Sequence, residues 1–166
     1  MIVTEVIFVD KRIPLATPTM HGDEMPFIQE AFDKNWIAPL GFNVDGLENE
    51  INEYLGGGCH NLALVSGTSA LHLALKLCGI KRGDIVLCSD MTFAATVNPI
   101  SYEGGVQVFV DSERETWNMS PEALEKAFTK YPQAKAVMLA HLYGTPAKTD
   151  EILDICKKVC HNILLC

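Results

Sequence analysis

From residue 62 onward, short apolar runs alternate with stretches whose apolar residues recur at helical spacing. The runs Leu62 to Val65, Ile85 to Cys88, Val106 to Val110, Ala136 to Ala140 and Ile163 to Leu165 are rich in Val, Ile and Leu, and the pattern predicts strands there. Each is short and largely apolar on both faces, as strands covered on both sides by helices are. Their alternation with helical segments predicts a three-layer α/β domain with a mostly parallel sheet, of undetermined strand order. Helix starts are read at Asp23, before a segment running to Lys34, and at Asp45, before residues 46–55. Further starts are Ser120-Pro121-Glu122, before residues 123–130, and Thr149 or Asp150, before residues 151–159. Gly56-Gly57-Gly58 follows a helix, and no Gly-Lys-Ser/Thr comes after it, so it predicts a C-cap and turn rather than a phosphate loop. No repeat, low-complexity tract or long linker divides the chain. One domain over residues 1–166 is expected, with 1–12 as an N-terminal extension.

Composition narrows the class. With 166 residues, 48% of them apolar and 20% charged, the chain is long and apolar enough to bury a core. The net charge of −8, with basic residues never clustered beyond pairs such as Lys81-Arg82, argues against a nucleic-acid partner. Val6 to Val9 is too short for a secretory apolar region and follows Glu5, and no stretch approaches the ~20 apolar residues of a membrane span. A soluble, cytoplasmic protein is expected. The six cysteines include no C-x-x-C pair and read as reduced, mostly buried thiols. Cys156, Cys160 and His161 fall close together, but without a second pair of ligands they too are read as buried thiols, and no metal is expected.

Candidate chemistry gathers at strand-to-helix junctions. Ser66-Gly67-Thr68-Ser69-Ala70-Leu71 carries the chain from an apolar run through a glycine turn into a helix. The first N–H groups of such a helix and the positive end of its dipole form an anion site, to which the Thr68 and Ser69 hydroxyls would add donors. Capping of the helix by Thr68 or Ser69 is the other role open to them. Phe93 follows the run Ile85 to Cys88, on the side where ligands bind in open α/β sheets, and is either a ligand contact or a core residue. Trp36, in a segment that Pro39 and Gly41 keep from continuing the preceding helix, is either a pocket residue or a core anchor. His141 ends the run Ala136 to Ala140 and reads as a hydrogen-bonded structural histidine.

Four motifs, Asn35-Trp36-Ile37-Ala38-Pro39-Leu40-Gly41, Ser66 to Leu71, Met91-Thr92-Phe93-Ala94-Ala95-Thr96 and His141-Leu142-Tyr143-Gly144, occur in one order. In them the chain resembles the DegT/DnrJ/StrS family of pyridoxal-phosphate-dependent sugar aminotransferases. Asn35 to Gly41 and Asp111 to Met119 are most similar to the branch that makes amino sugars for exopolysaccharide and surface glycans. The resemblance runs from about Ile13 to Cys166. It implies the N-terminal part of the large domain of a fold-type-I enzyme, since family members are well over twice as long. Departures are Phe42, where the family pattern has proline, and a longer turn over Gly56 to His60.

By this resemblance Gly67, Thr68 and Ser69 hold the phosphate of pyridoxal 5′-phosphate, Phe93 stacks on its ring, and Trp36 and Ile37 belong to a loop near the substrate and the dimer contact. The resemblance further implies a keto-sugar nucleotide as substrate, glutamate as amino donor and a homodimer at full length. The lysine that bonds the cofactor and the carboxylate beside its pyridine nitrogen are placed beyond Cys166, so no residue is assigned a catalytic role and the 166-residue chain is expected to be inactive alone. Missing later strands would leave apolar surface and an open sheet edge. The alternative is a non-catalytic protein of this fold that binds a phosphorylated ligand or pairs with a full-length subunit. A different nucleotide-dependent α/β enzyme lacks support from any G-x-G-x-x-G or Walker lysine. A deoxygenating relative stays open, because the lysine that separates the two reactions is not among these residues.

Overall fold

The structure is a computed structural model that describes residue 14 and residues 17–38, 41–159 and 162–165, the last four by their backbone. The expected extension over residues 1–12, together with Cys160, His161 and Cys166, lies outside the described residues. Contacts along the chain divide it into two compact units, Met1–Ala63 and Leu64–Cys166.

The first unit holds α1 (Glu24–Asp33) and α2 (Phe42–Tyr54). Helix α2 starts at Phe42, earlier than the expected start after Asp45, which instead supplies negative charge to the first turn. The cause is local: the Gly41 carbonyl accepts the Val44 and Asp45 N–H groups, and the Phe42 ring stacks on Trp36 at 5.9 Å. Gly56, Gly57 and Gly58 all have positive φ, and the Gly57 N–H returns to the Asn52 carbonyl at 2.8 Å, which makes them the helix C-terminal turn that was expected.

In the second unit, helices α3 (Gly67–Leu77) and α4 (Ala94–Tyr102) flank β1 (Ile85–Ser89), and β2 (Val106–Val110), α5 (Pro121–Lys130), β3 (Ala136–Leu139), α6 (Thr149–Val159) and β4 (Asn162–Leu165) follow. The strands form one sheet in the order β2-β1-β3-β4, with every described pair parallel. Alternate residues of the central strands point to opposite faces, and both faces are apolar. Val86, Cys88, Ala136 and Met138 pack against Leu75 of α3 and Ile100 of α4. Leu87, Val137 and Leu139 pack against Leu124 and Phe128 of α5 and Ile152, Ile155 and Cys156 of α6. This is the three-layer α/β arrangement expected from continuous apolar runs. Strand β2 forms one edge, and there Val106 and Phe109 stay about half exposed.

One expected strand is absent. Residues 62–65 belong to no ladder among the described residues. Instead the Ala63 N–H donates to Glu48 Oε1 at 2.8 Å, and Val65 is left 95% exposed. An apolar run can supply a strand's side chains, but only a neighbour supplies its backbone partners.

Candidate functional site

The sheet order creates the site. From β1 the chain passes through α4 to β2 on one side, then through α5 to β3 on the other side of β1. The segment leaving β1 runs to α4 on one face of the sheet, while the segment leaving β3 runs to α6 on the opposite face. The two diverge, and a crevice opens between the carboxyl ends of β1 and β3, where ligands bind in open α/β sheets. A cleft of about 630 Å³ lies there. Thr92, Phe93 and Thr96 line it from the β1 side and His141, Leu142 and Tyr143 from the β3 side.

Phe93 is the residue just before α4, with extended backbone, and its ring is 80% exposed. It therefore does not pack in the core, and a flat apolar face stands open to the cleft. The turn beneath it is closed by the Thr96 N–H on the Phe93 carbonyl at 2.9 Å and by a 2.8 Å hydrogen bond between the Thr92 and Thr96 hydroxyls.

Helix α3 begins at Gly67, and the residue that caps it is Ser66, not Thr68 or Ser69. Ser66 Oγ accepts the Ser69 N–H at 3.2 Å and lies 3.1 Å from Ser69 Oγ. The N–H groups of Gly67 and Thr68 have no acceptor among the described residues, and a Cβ built on Gly67 would meet nothing within 4 Å. Either hydroxyl can donate in that contact, and when Ser66 donates, the Ser69 hydroxyl keeps its own hydrogen for a ligand. Two backbone donors, two hydroxyls and a helix dipole are the groups with which a helix start can receive an anion. These residues do not line the cleft.

Helix α3 is locked to α4 by one carboxylate. Glu103 Oε1 lies 2.9 Å from Lys76 Nζ and 2.5 Å from His72 Nε2. Those two partners, Lys76 foremost, hold the Glu103 carboxyl below the usual carboxylate range.

The wall after β3 is unusual. Tyr143 adopts φ 51° and ψ 29°, a left-handed conformation that costs a non-glycine residue about 1–2 kcal/mol. It is 83% exposed beside the cleft. His141 Nδ1 accepts the Ala147 N–H at 3.1 Å, which leaves the ring proton on Nε2 and agrees with a structural, hydrogen-bonded histidine. Asn118, 1% exposed, reaches the same segment: its Oδ1 accepts the Leu142 N–H at 2.8 Å and its Nδ2 donates to the Thr145 carbonyl at 2.9 Å.

A larger cleft of about 750 Å³ opens between the ends of β1 and β2, lined by Asp90, Asp111, Ser112, Arg114 and Trp117 among others. Its carboxylates would repel a phosphate, and it sits on the edge side of β1, away from the point where the chain reverses.

Of the residues singled out in the sequence, the structure brings Phe93 and His141 to one cleft and puts Gly67, Thr68 and Ser69 at the start of a neighbouring helix. Trp36 and Ile37 belong to the first unit. There Trp36 is half-buried against Phe42, and Ile37 is 67% exposed. Cys88 and Cys156 are buried as expected, whereas Cys59 is exposed. Asn118 and Tyr143 were not read as site residues. Both lie inside motifs that carried the resemblance, which was the one signal available.

Comparison with known proteins bears on the family and the fold. The model of the DegT/DnrJ/EryC1/StrS aminotransferase family matches residues 18–165. EpsN of Bacillus subtilis (strain 168), which carries the name of a pyridoxal phosphate-dependent aminotransferase, is 49% identical over 150 residues, covering 88% of this chain and 38% of EpsN. GDP-perosamine synthase of Escherichia coli O157:H7 is 37% identical over 147 residues, covering 89% of this chain and 40% of the synthase. Among solved structures, the PLP form of Spr1654 from Streptococcus pneumoniae, which bears the name of a sugar aminotransferase, superposes with a TM-score of 0.80 at 25% identity, covering 91% of this chain and 38% of that one. The chain thus spans about 40% of the length of the curated relatives it matches. With the family pattern running through nearly all of its described residues, the chain belongs to the DegT/DnrJ/EryC1/StrS aminotransferase family.

Proposed function

We propose that this chain forms the phosphate cradle and one ring-stacking wall of the cofactor site in an aminotransferase that builds an amino sugar from a keto-sugar nucleotide, with glutamate as amino donor. The family's cofactor is pyridoxal 5′-phosphate. The observation that carries the reading is the cleft at the point where the sheet order reverses, with Phe93 bare on one wall. The residues fit the group. Gly67 and Thr68 offer uncommitted N–H groups to a phosphate, and Phe93 offers an open face for an offset contact with a pyridine ring.

When bound, pyridoxal 5′-phosphate supplies an electron sink that lets an amino group pass between donor and acceptor. The chain's own residues bind and orient. Gly67, Thr68 and Ser69 anchor the phosphate, Phe93 sets the ring plane and excludes water from one face, and His141 presents Nε2–H as a hydrogen-bond donor. None of them is assigned the movement of a proton at the reacting carbon. Trp36 and Ile37 are proposed to face substrate or a second copy in a full-length homodimer, located in the cytoplasm. Among the described residues no helix is long and apolar enough to cross a membrane. The 166 residues are taken as one incomplete large domain without turnover of their own.

The test is an absorbance and visible circular dichroism titration of the 166-residue chain with pyridoxal 5′-phosphate, followed by addition of glutamate. The expected result is saturable binding with no spectral conversion by glutamate. Sustained amino transfer would place catalytic groups within this chain. Failure to bind pyridoxal 5′-phosphate, with binding of another phosphorylated ligand, would favour the non-catalytic alternative.

A further inference from the structure

The segment that closes the cleft on the β3 side is held by a residue outside it. Asn118 lies in the connection between β2 and α5, and its carboxamide grips the backbone on both sides of Tyr143. The Leu142 N–H donates to Oδ1 at 2.8 Å, and Nδ2 donates to the Thr145 carbonyl at 2.9 Å. A further Nδ2 contact goes to Thr116 Oγ1 at 3.2 Å. An N–H can only donate and a carbonyl can only accept, so the two partners fix which way the amide faces. At 1% exposure, water has little access to replace either bond.

The connection is itself braced. Glu113 accepts the Glu115 N–H at 2.7 Å, the Thr116 N–H at 2.8 Å and the Thr116 hydroxyl, while the Glu113 N–H donates to the Asn118 carbonyl at 2.9 Å. Lys148 Nζ, beyond the gripped segment, meets Glu115 Oε2 at 2.9 Å. Tyr143, between the two gripped residues, is in left-handed backbone and is the second exposed aromatic of the cleft that Phe93 lines.

We infer that Asn118 is a positioning residue whose carboxamide holds Tyr143 in place as the second aromatic wall of the cleft, so that Tyr143 touches the ligand bound against Phe93. The inference rests on the reading of this cleft as the cofactor site. Asn118 acts through the backbone of Leu142 and Thr145 and does not itself reach the ligand.

The experiment is a titration with pyridoxal 5′-phosphate of the native 166-residue chain and of Asn118→Asp, Tyr143→Ala, the double variant and Phe93→Ala, with affinity and the visible circular dichroism band of the bound cofactor as readouts and thermal melting as a control. Asn118→Asp keeps the size and the acceptor for the Leu142 N–H but turns an oxygen toward the Thr145 carbonyl. It is expected to weaken binding about tenfold and to alter the band as Tyr143→Ala does. Adding it to Tyr143→Ala is expected to cost nothing more. A native band and affinity in Asn118→Asp, even with a lowered melting temperature, would overturn the inference, as would full additivity in the double variant. If Asn118→Asp does not fold, Tyr143→Gly carries the test, since glycine suits the left-handed backbone. An altered band at undiminished melting temperature is then expected, and an unaltered one is contrary. Phe93→Ala separates the two levels: binding unaffected by it removes the cofactor-site reading, whereas weakening by Phe93→Ala but not by Asn118→Asp removes only the inference about Asn118.

Discussion

Gly67 combines a helix start with a free donor, and a substitution can separate the two. Proline is favoured at the first helical position, and Ser66 before it is already extended at φ −163° and ψ 159°, as a residue preceding proline must be. Gly67→Pro should therefore keep the melting temperature of the protein while deleting one N–H from the anion site. We expect about tenfold weaker binding of pyridoxal 5′-phosphate, measured by titration, because a bond to a charged group is lost. Phe93→Ala should likewise leave stability within about 0.5 kcal/mol, since the ring is 80% exposed, yet weaken binding of the ring. Cys88 offers a contrasting residue-scale check. Burial, aided by Asp90, pushes its thiol up to about 12, so it should resist a thiol reagent in the native state while exposed Cys59 reacts. Legibility at this scale followed the physics. The places of Gly67, Thr68 and Phe93 in the fold could be read because a glycine turn into a helix and an aromatic beyond a strand each have local meaning. Asn118 could not, because its partners Leu142 and Thr145 lie 24 and 27 residues away and an isolated amide announces no chemistry.

At the scale of elements, caps decide where helices begin, and residue type alone did not fix which serine does it. Ser66, Thr68 and Ser69 are all capping types, and the structure selects Ser66, whose extended backbone lets Oγ meet the Ser69 N–H. Ser120 caps α5 in the same way, through the Ala123 N–H at 3.2 Å, with Pro121 as the first helical residue, two positions earlier than the helix over 123–130 read from the sequence. Ser66→Ala and Ser120→Ala should each cost about 1 kcal/mol in a urea melt. They should differ at the site: Ser66→Ala frees a third N–H at the anion site, whereas Ser120→Ala leaves cofactor affinity unchanged. Strands Ile85–Ser89 and Ala136–Leu139 were readable to within a residue because buried parallel strands are apolar nearly throughout, and the edge strand Val106–Val110 was readable because its β-branched and aromatic residues outnumber the single polar Gln107. Residues 62–65 looked the same and are not a strand, because pairing is a property of neighbours and not of the run itself.

Across the whole molecule, stability rests on two apolar layers and a set of paired carboxylates. Leu75 and Leu87 are fully buried on opposite faces of the sheet, and truncating either to alanine should cost about 2–5 kcal/mol. Asp84, held by Lys135 at 2.8 Å, and Glu103, held by Lys76 and His72, both have carboxyls lowered from their ordinary range. A lowered carboxylate stabilises the fold above the unfolded-state range, and that contribution is lost as pH falls through the lowered value. The urea midpoint should therefore hold from neutral pH to about pH 5 and decline below about pH 4. Fold class was legible from apolar runs and alternation, but strand order was not, and strand order is what creates the cleft. No local pattern says that β3 returns to the far side of β1.

The central claim is that the cleft between the ends of β1 and β3, with the α3 N-terminus, takes pyridoxal 5′-phosphate. A residue-resolved NMR titration of the 166-residue chain with that cofactor tests it most directly. The account predicts saturable shifts gathered at Gly67, Thr68, Phe93, His141 and Tyr143. Shifts gathered instead around Asp111, Arg114 and Trp117, or spread with no saturation, would contradict it.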